Sequence, residues 1–146
     1  MSYSPTQKAY IAGFLDGDGS IYVRLKPNPE YRYGFQVAPY VVFFQSSKDC
    51  EGFNKICNLI GCRYLRKRND GMLEYVIQRR QAIQNLIGDI RPFLLLKEKQ
   101  ADLILEVLKK KVLVKSRADF IVLMNLIDQF RELNYSKKRR IHVLTP

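Results

Sequence analysis

Hydrophobic spacing along the chain changes from helical to strand-like and back, with turn residues at each change. Ser4-Pro5-Thr6-Gln7 reads as a helix start: Ser4 can cap, Pro5 suits the first turn, and Gln7 completes an S-x-x-Q capping box. The helix should run to about Leu15. Ile11, Phe14 and Leu15 form its apolar stripe, Ala12 and Gly13 leave part of its surface nearly bare, and Gly17 and Gly19 end it. From Ser20 to Lys26 the alternation is strict, with Ile21, Val23 and Leu25 on one face and Tyr22, Arg24 and Lys26 on the other. That is a half-buried strand with a basic outer face. Pro27-Asn28-Pro29 makes a loop, and Phe35 to Gln45 reads as a second strand in which Pro39 demands a bulge or an edge position.

Ser47 or Asp49 is placed to cap a helix carrying Phe53, Ile56, Cys57 and Ile60, closed by Gly61. Cys62 to Arg68 and Met72 to Gln78 flank Asn69-Asp70-Gly71, which has the turn chemistry of a β-hairpin. Tyr64, Arg66 and Arg68 share a face of its first arm; in the second, Leu73, Tyr75 and Ile77 oppose Glu74, Val76 and Gln78. Three helices follow, at about 81–90, 97–111 and, capped by Ser116, to Leu133. Ala101, Ile104, Leu105 and Leu108, then Phe120, Leu123, Met124, Ile127 and Phe130, supply the apolar stripes of the last two. The order α, ββ, α, ββ, ααα predicts an α+β fold.

Composition narrows the class. With 146 residues the chain suits one domain, and 47% hydrophobic with 27% charged residues excludes wholesale disorder and fibrous rods. The net charge of +11 calls for a polyanionic partner, nucleic acid first. The longest apolar-rich run, Phe35 to Phe44, holds Gln36 and Pro39 and falls well short of the roughly 20 residues of a membrane span. Met1-Ser2-Tyr3-Ser4-Pro5 lacks the basic and apolar regions of a secretory signal, which points to an intracellular protein. Cys50, Cys57 and Cys62 form no C-x-x-C pair and read as reduced packing residues. The one histidine, His142, lies in the C-terminal tail, leaving triad chemistry without support.

Two carboxylates invite a chemical explanation. Asp16 and Asp18 lie at the C-terminal end of the first helix, where the negative pole disfavours each by a few tenths to about 1 kcal/mol. A divalent cation would compensate them, and hard oxygen donors beside a carbonyl freed at a helix end suit Mg²⁺. A plain turn is the other reading, because Asp and Gly are common in turns.

The nonapeptide Ile11-Ala12-Gly13-Phe14-Leu15-Asp16-Gly17-Asp18-Gly19 closely resembles the LAGLIDADG motif of homing endonucleases, with Ile at its first position and Phe at its fourth. The alternating basic strand, the hairpin and the segment Pro92 to Ala101 are similar to the single-motif branch, so the resemblance covers most of the chain except the tail. It implies an αββαββα fold with additional C-terminal helices and a saddle-shaped antiparallel sheet. It also implies a homodimer joined through the motif helix, with Ile11, Ala12, Gly13, Leu15 and Asp16 at the seam and small residues at the crossing. Asp18 matches the carboxylate that binds divalent metal, Mg²⁺ with Mn²⁺ as a substitute, and the Gly17 carbonyl matches a further ligand. Asp16 matches a residue that caps or orients the helix end. Gln45 matches a polar residue that positions water, and Lys97 a lysine near the scissile phosphate. Where the family has a basic residue after the second strand, this chain has Lys48-Asp49 and no arginine.

Such a sheet can lie in a major groove of double-stranded DNA and address base edges. Tyr22, Arg24, Lys26, Asn28, Tyr31, Arg32, Gln36, Tyr40, Tyr64, Arg66, Arg68, Glu74 and Gln78 are the outward candidates, Arg66 and Arg68 the best suited to guanine. Lys109-Lys110-Lys111 and the tail's Lys137, Lys138 and Arg139 suit phosphate. The resemblance implies a metal-dependent endonuclease that breaks both strands of a long, pseudo-palindromic site and promotes intron mobility, with no membrane and no small-molecule substrate. Chloroplast, mitochondrion and prokaryotic cytoplasm are equally compatible with it. Two rivals share the fold: an intron RNA maturase and a DNA-binding protein without catalysis. Cleavage of a cloned intron-insertion site separates them.

Overall fold

The capping box closes as its residues dictate: Gln7 N donates to Ser4 Oγ at 3.2 Å and Ser4 N donates to Gln7 Oε1 at 2.9 Å. This starts α1 (Pro5–Asp18) in the computed structural model, which describes residues 2–61, 65–134 and 144. The helix runs a turn beyond Leu15, so Gly17 does not end it. Gly19 does, with an extended backbone that any residue could adopt; what excludes a side chain there is space. A Cβ at Gly19 would lie 2.7 Å from the Leu15 carbonyl oxygen and 2.9 Å from that of Val42. The end of the motif helix is therefore pressed against the chain at Val42, and only glycine permits it.

The strands β1 (Gly19–Pro27), β2 (Phe35–Ser46), β3 (Leu65–Lys67) and β4 (Met72–Ile77) form a four-stranded sheet in the order β1-β2-β4-β3. β2 and β4 are antiparallel, pairing Val41 with Ile77 through Ser46 with Met72, and β3 and β4 pair Arg66 with Glu74. Pro39 lies ahead of the β2–β4 ladder, which begins at Val41, so no hydrogen bond to β4 is forfeited there. The β3–β4 turn forms at Asn69-Asp70-Gly71, where Gly71 takes φ +83° and Met72 N donates to Asp70 Oδ1 at 3.1 Å.

A short 3-10 turn (Ser47–Asp49) leads into α2 (Cys50–Ile60). Neither Ser47 nor Asp49 caps this helix through its side chain; Ser46 Oγ instead accepts from Lys48 N at 3.3 Å and caps the turn ahead of it. Gly61 closes α2 in the left-handed conformation. α3 (Arg80–Ile90), a 3-10 turn (Arg91–Phe93), α4 (Glu98–Lys111) and α5 (Arg117–Leu133) complete the α+β order.

The chain divides into two compact units, Met1–Ile21 with Tyr40–Glu98, and Tyr22–Pro39 with Lys99–Pro146. In the first, Ile11, Leu15, Phe43, Phe53, Tyr75, Ile83 and Ile87 are almost fully buried, and Phe14 stacks on Phe53 with ring centroids 6.1 Å apart. In the second, Ala101, Ile104, Val107, Leu123 and Ile127 make the core, and Tyr33 stacks on Phe120 at 5.0 Å. Leu105 and Met124 are half-buried, Leu103 and Val107 buried in their stead.

Cys50 is exposed, whereas burial pushes the Cys57 thiol up to about 11. A raised value keeps the neutral thiol at pH 8, so iodoacetamide should label Cys50 and leave Cys57 unmodified until the protein unfolds. Peptide mapping by mass spectrometry checks this; early labelling of Cys57 contradicts it.

Candidate active site and nucleic-acid interface

The end of α1 carries Asp16 and Asp18 at its negative pole, and the fold treats them differently. Asp16 Oδ2 accepts from Leu95 N at 2.8 Å and Leu96 N at 3.2 Å, Oδ1 accepts from Lys97 N at 3.0 Å, and Lys97 Nζ donates to the Asp16 carbonyl at 2.7 Å. These amides lie just ahead of α4, where a helix start leaves donors unpaired and favours negative charge. The ammonium sits at the opposite pole, beside the last carbonyls of α1. Asp16 is thereby compensated within its own chain.

Asp18 is exposed and makes no hydrogen bond or ion pair with any described residue. Gly17, beside it, lies in the last turn of α1, where carbonyls lack intrahelical partners. Gln45 lies near the end of β2 opposite Leu73; its Oε1 accepts from Ser46 N at 2.9 Å, and its amide N–H groups have no partner among the described residues. Lys48 and Asp49 are both exposed.

Among the described residues no group of three His, Cys, Asp or Glu could hold a metal ion. A single chain offers hard oxygen donors at Asp18 and Gly17, of the kind Mg²⁺ takes, but too few to fill an octahedron. The residues fit Mg²⁺ provided water, phosphate and a second copy supply the remaining ligands.

The faces of α1 correct the expected seam. Ile11, Ala12 and Leu15 are 0% exposed in the single chain, so they belong to its core and have nothing to offer a partner. The Asp16 carboxylate is engaged at Leu95 to Lys97. The open face is Gly13 and Gly17 with Tyr10, which is 55% exposed; a Cβ at either glycine would meet nothing within 4 Å. Beside it an apolar groove runs between Thr6 and Tyr10 of α1 and Lys55, Ile56 and Leu59 of α2. Gly17 and Tyr10 were missed as surface residues, although the Gly13-x-x-x-Gly17 spacing, one helical turn, carried the signal.

On the sheet, Arg66 pairs with Glu74 across β3 and β4, and both point opposite to Leu73 and Tyr75, which are buried. Arg68 NH2 lies 2.8 Å from Asp70 Oδ2 and its NH1 3.5 Å from Glu74 Oε1, so two carboxylates hold this guanidinium in place. The sequence alone marks Asp70 only as a turn residue. Gln78 is exposed. Tyr40 is 6% exposed and is withdrawn from the contact set: it has the parity of Phe44, which pairs with Glu74, but buried Val42 and Val76 show that this face is apolar and covered where β2 meets the end of β4. In the second unit Arg24, Lys26, Tyr31 and Arg32 are exposed, and Tyr22 and Gln36 half-buried. Asn28 Oδ1 accepts from Glu30 N at 3.0 Å and so builds the loop. Tyr64, Lys137, Lys138 and Arg139 lie outside the described residues.

Comparison with known proteins gives the family. The family model described as LAGLIDADG endonuclease matches residues 11–106. The chain is 33% identical over 132 residues to DNA endonuclease I-CreI of Chlamydomonas reinhardtii, covering 90% of this chain and 80% of that one. The chain belongs to the LAGLIDADG endonuclease family. Another member, I-CvuI of Chlorella vulgaris, is 33% identical over 91% of the chain and 83% of its own length. A crystal structure of I-CvuI with a DNA target in the presence of Mg²⁺ superposes with a TM-score of 0.86 at 32% identity, covering 93% of this chain and 87% of that one. A second, with its target and Ca²⁺, gives 0.85. The LAGLIDADG fold is thus that of a DNA endonuclease, and no helix among the described residues is long and apolar enough to cross a membrane.

A guanidinium oriented by Asp70 and Glu74 should read a base. Replacing Arg68 by Ala should cost about 1–3 kcal/mol of discrimination at one base pair of each half-site. Competition binding in Ca²⁺ against single-base variants checks it; an equal loss on every variant would make Arg68 a phosphate contact.

Proposed function

We propose that two copies of this chain form a Mg²⁺-dependent homing endonuclease that breaks both strands of a long, pseudo-palindromic DNA site and so promotes intron mobility. The observation that carries this reading is the division of labour between the two acidic groups: Asp16 is occupied by backbone amides, whereas Asp18 is left exposed at the negative end of α1, without a partner among the described residues. An uncompensated carboxylate at that pole is what a cation would relieve. The 33% identity to a DNA endonuclease over 90% of the chain supports DNA as the polyanion that the +11 charge attracts.

In this reading the open stripe of Gly13 and Gly17 meets its twin across a two-fold axis, because bare glycine surfaces let two helices approach closely. Tyr10 and the groove beside Ile56 and Leu59 extend the contact. Asp18 of each copy then lies near one strand of the duplex and, with the Gly17 carbonyl, holds Mg²⁺, or Mn²⁺ in its place. When bound, the metal lowers the barrier to attack by water and stabilises the departing 3′ oxygen. Gln45 orients water through its free amide group, and the Lys97 ammonium balances charge developing on the phosphate. Arg24, Lys26, Tyr31, Arg32, Arg66, Arg68 and Gln78 address the groove. Identical subunits present identical side chains, so the target is pseudo-symmetric.

Asp18→Asn should bind the site in Ca²⁺ with parental affinity and cleave it in Mg²⁺ at least about 100-fold more slowly, given that even outer-shell partners of a metal are worth about 10–100-fold. Gel-shift and plasmid-cleavage assays read the two quantities. Parental cleavage by this variant would remove Asp18 from the mechanism.

A further inference from the structure

Leu94 anchors the chain after Phe93 in the core, at 1% exposure, but Leu95 and Leu96, 81% and 73% exposed, give the backbone from there to Lys97 no apolar hold. The Asp16 carboxylate gathers three consecutive amides there, and it lies 79 to 81 residues away in sequence. Both oxygens are used, one on each side, so an amide in their place would turn an N–H donor against another donor. In return Lys97 Nζ donates to the Asp16 carbonyl at 2.7 Å. One of the three ammonium protons is committed in this way and two remain. The ammonium is thereby brought to the last turn of the helix that bears Asp18.

Resting on the roles given above to Asp18 and Lys97, we propose that Asp16 is a positioning residue for cleavage, its carboxylate fixing the 95–97 backbone so that the Lys97 ammonium is held beside the Asp18 end of the motif helix. Asp16 touches neither metal nor DNA. Its whole effect on the chemical step passes through Lys97, which distinguishes it from a residue that merely stabilises the fold.

Single-turnover cleavage of a duplex target in Mg²⁺, across a range of protein concentrations, separates maximal rate from half-saturation. Asp16→Asn should lower the maximal rate about 10–100-fold, and shift half-saturation by less than about threefold. Lys97→Met should show a loss of the same order, and adding Asp16→Asn to it should cost less than about threefold more, the non-additivity of residues acting as a unit. Asp16→Ser, which keeps one acceptor, runs the same cycle should the asparagine variant not fold. The proposal is overturned if Asp16→Asn cuts at the parental rate, if its loss appears only in half-saturation, if that loss recurs in full beside Lys97→Met, or if Lys97→Met alone is harmless. The last would also remove the role given above to Lys97, but none of these would touch the reading of the protein as a nuclease acting through Asp18. A parent that cuts no duplex, or an Asp18→Asn variant that cuts normally, would sink that reading and this proposal with it.

Discussion

The end of one helix presents an electrostatic problem that organises the candidate active site. Two acidic side chains stand where the peptide dipoles of α1 already concentrate negative charge. The fold resolves one of them internally, by setting the amides of Leu95, Leu96 and Lys97 around Asp16 and returning the Lys97 ammonium to the helix carbonyl. The other it leaves exposed, without a partner among the described residues. The same helix end is pressed so tightly onto β2 that Gly19 has no room for a side chain, so backbone packing fixes the end of the helix that bears both carboxylates, and hydrogen bonds hold that of Asp16.

That helix also has two faces of opposite use. Ile11, Ala12 and Leu15 disappear into the chain's own core, whereas Gly13 and Gly17 leave bare backbone toward solvent. Under the proposed function the arrangement couples assembly to chemistry, because the surface suited to a second copy and the carboxylate suited to metal belong to successive turns of one element. The hairpin orders its own charges: the ladder that aligns Arg66 with Glu74 also sets the Arg68 guanidinium against Asp70 and Glu74.

Much of this was legible from sequence wherever the determinants were local. The Ser4 capping box, the Asn69-Asp70-Gly71 hairpin, the alternation of β1 and the three closing helices all rest on contacts within a few residues, and all formed. What sequence could not show was which partner a polar group finds across the fold. Asp16 meets amides some eighty positions away, and nothing near it announces them. Ala12 looked like a crossing residue because it is small, but helical phase turns it inward beside Ile11 and Leu15. Tyr40 had the right strand parity, yet its exposure depended on Val42 and Val76 making that part of the face apolar. Asp70 was read for its turn chemistry, and its second role on Arg68 needed the hairpin to be folded first.

The central claim, that Asp18 and not Asp16 receives the metal, is tested most directly by anomalous diffraction from crystals of the protein with a duplex target and Mn²⁺. The account predicts anomalous peaks within coordination distance, about 2.0–2.2 Å, of an Asp18 oxygen in each of two subunits, with Asp16 still on its amides. Peaks bonded to Asp16, or metal held wholly away from both Asp18 carboxylates, would contradict it.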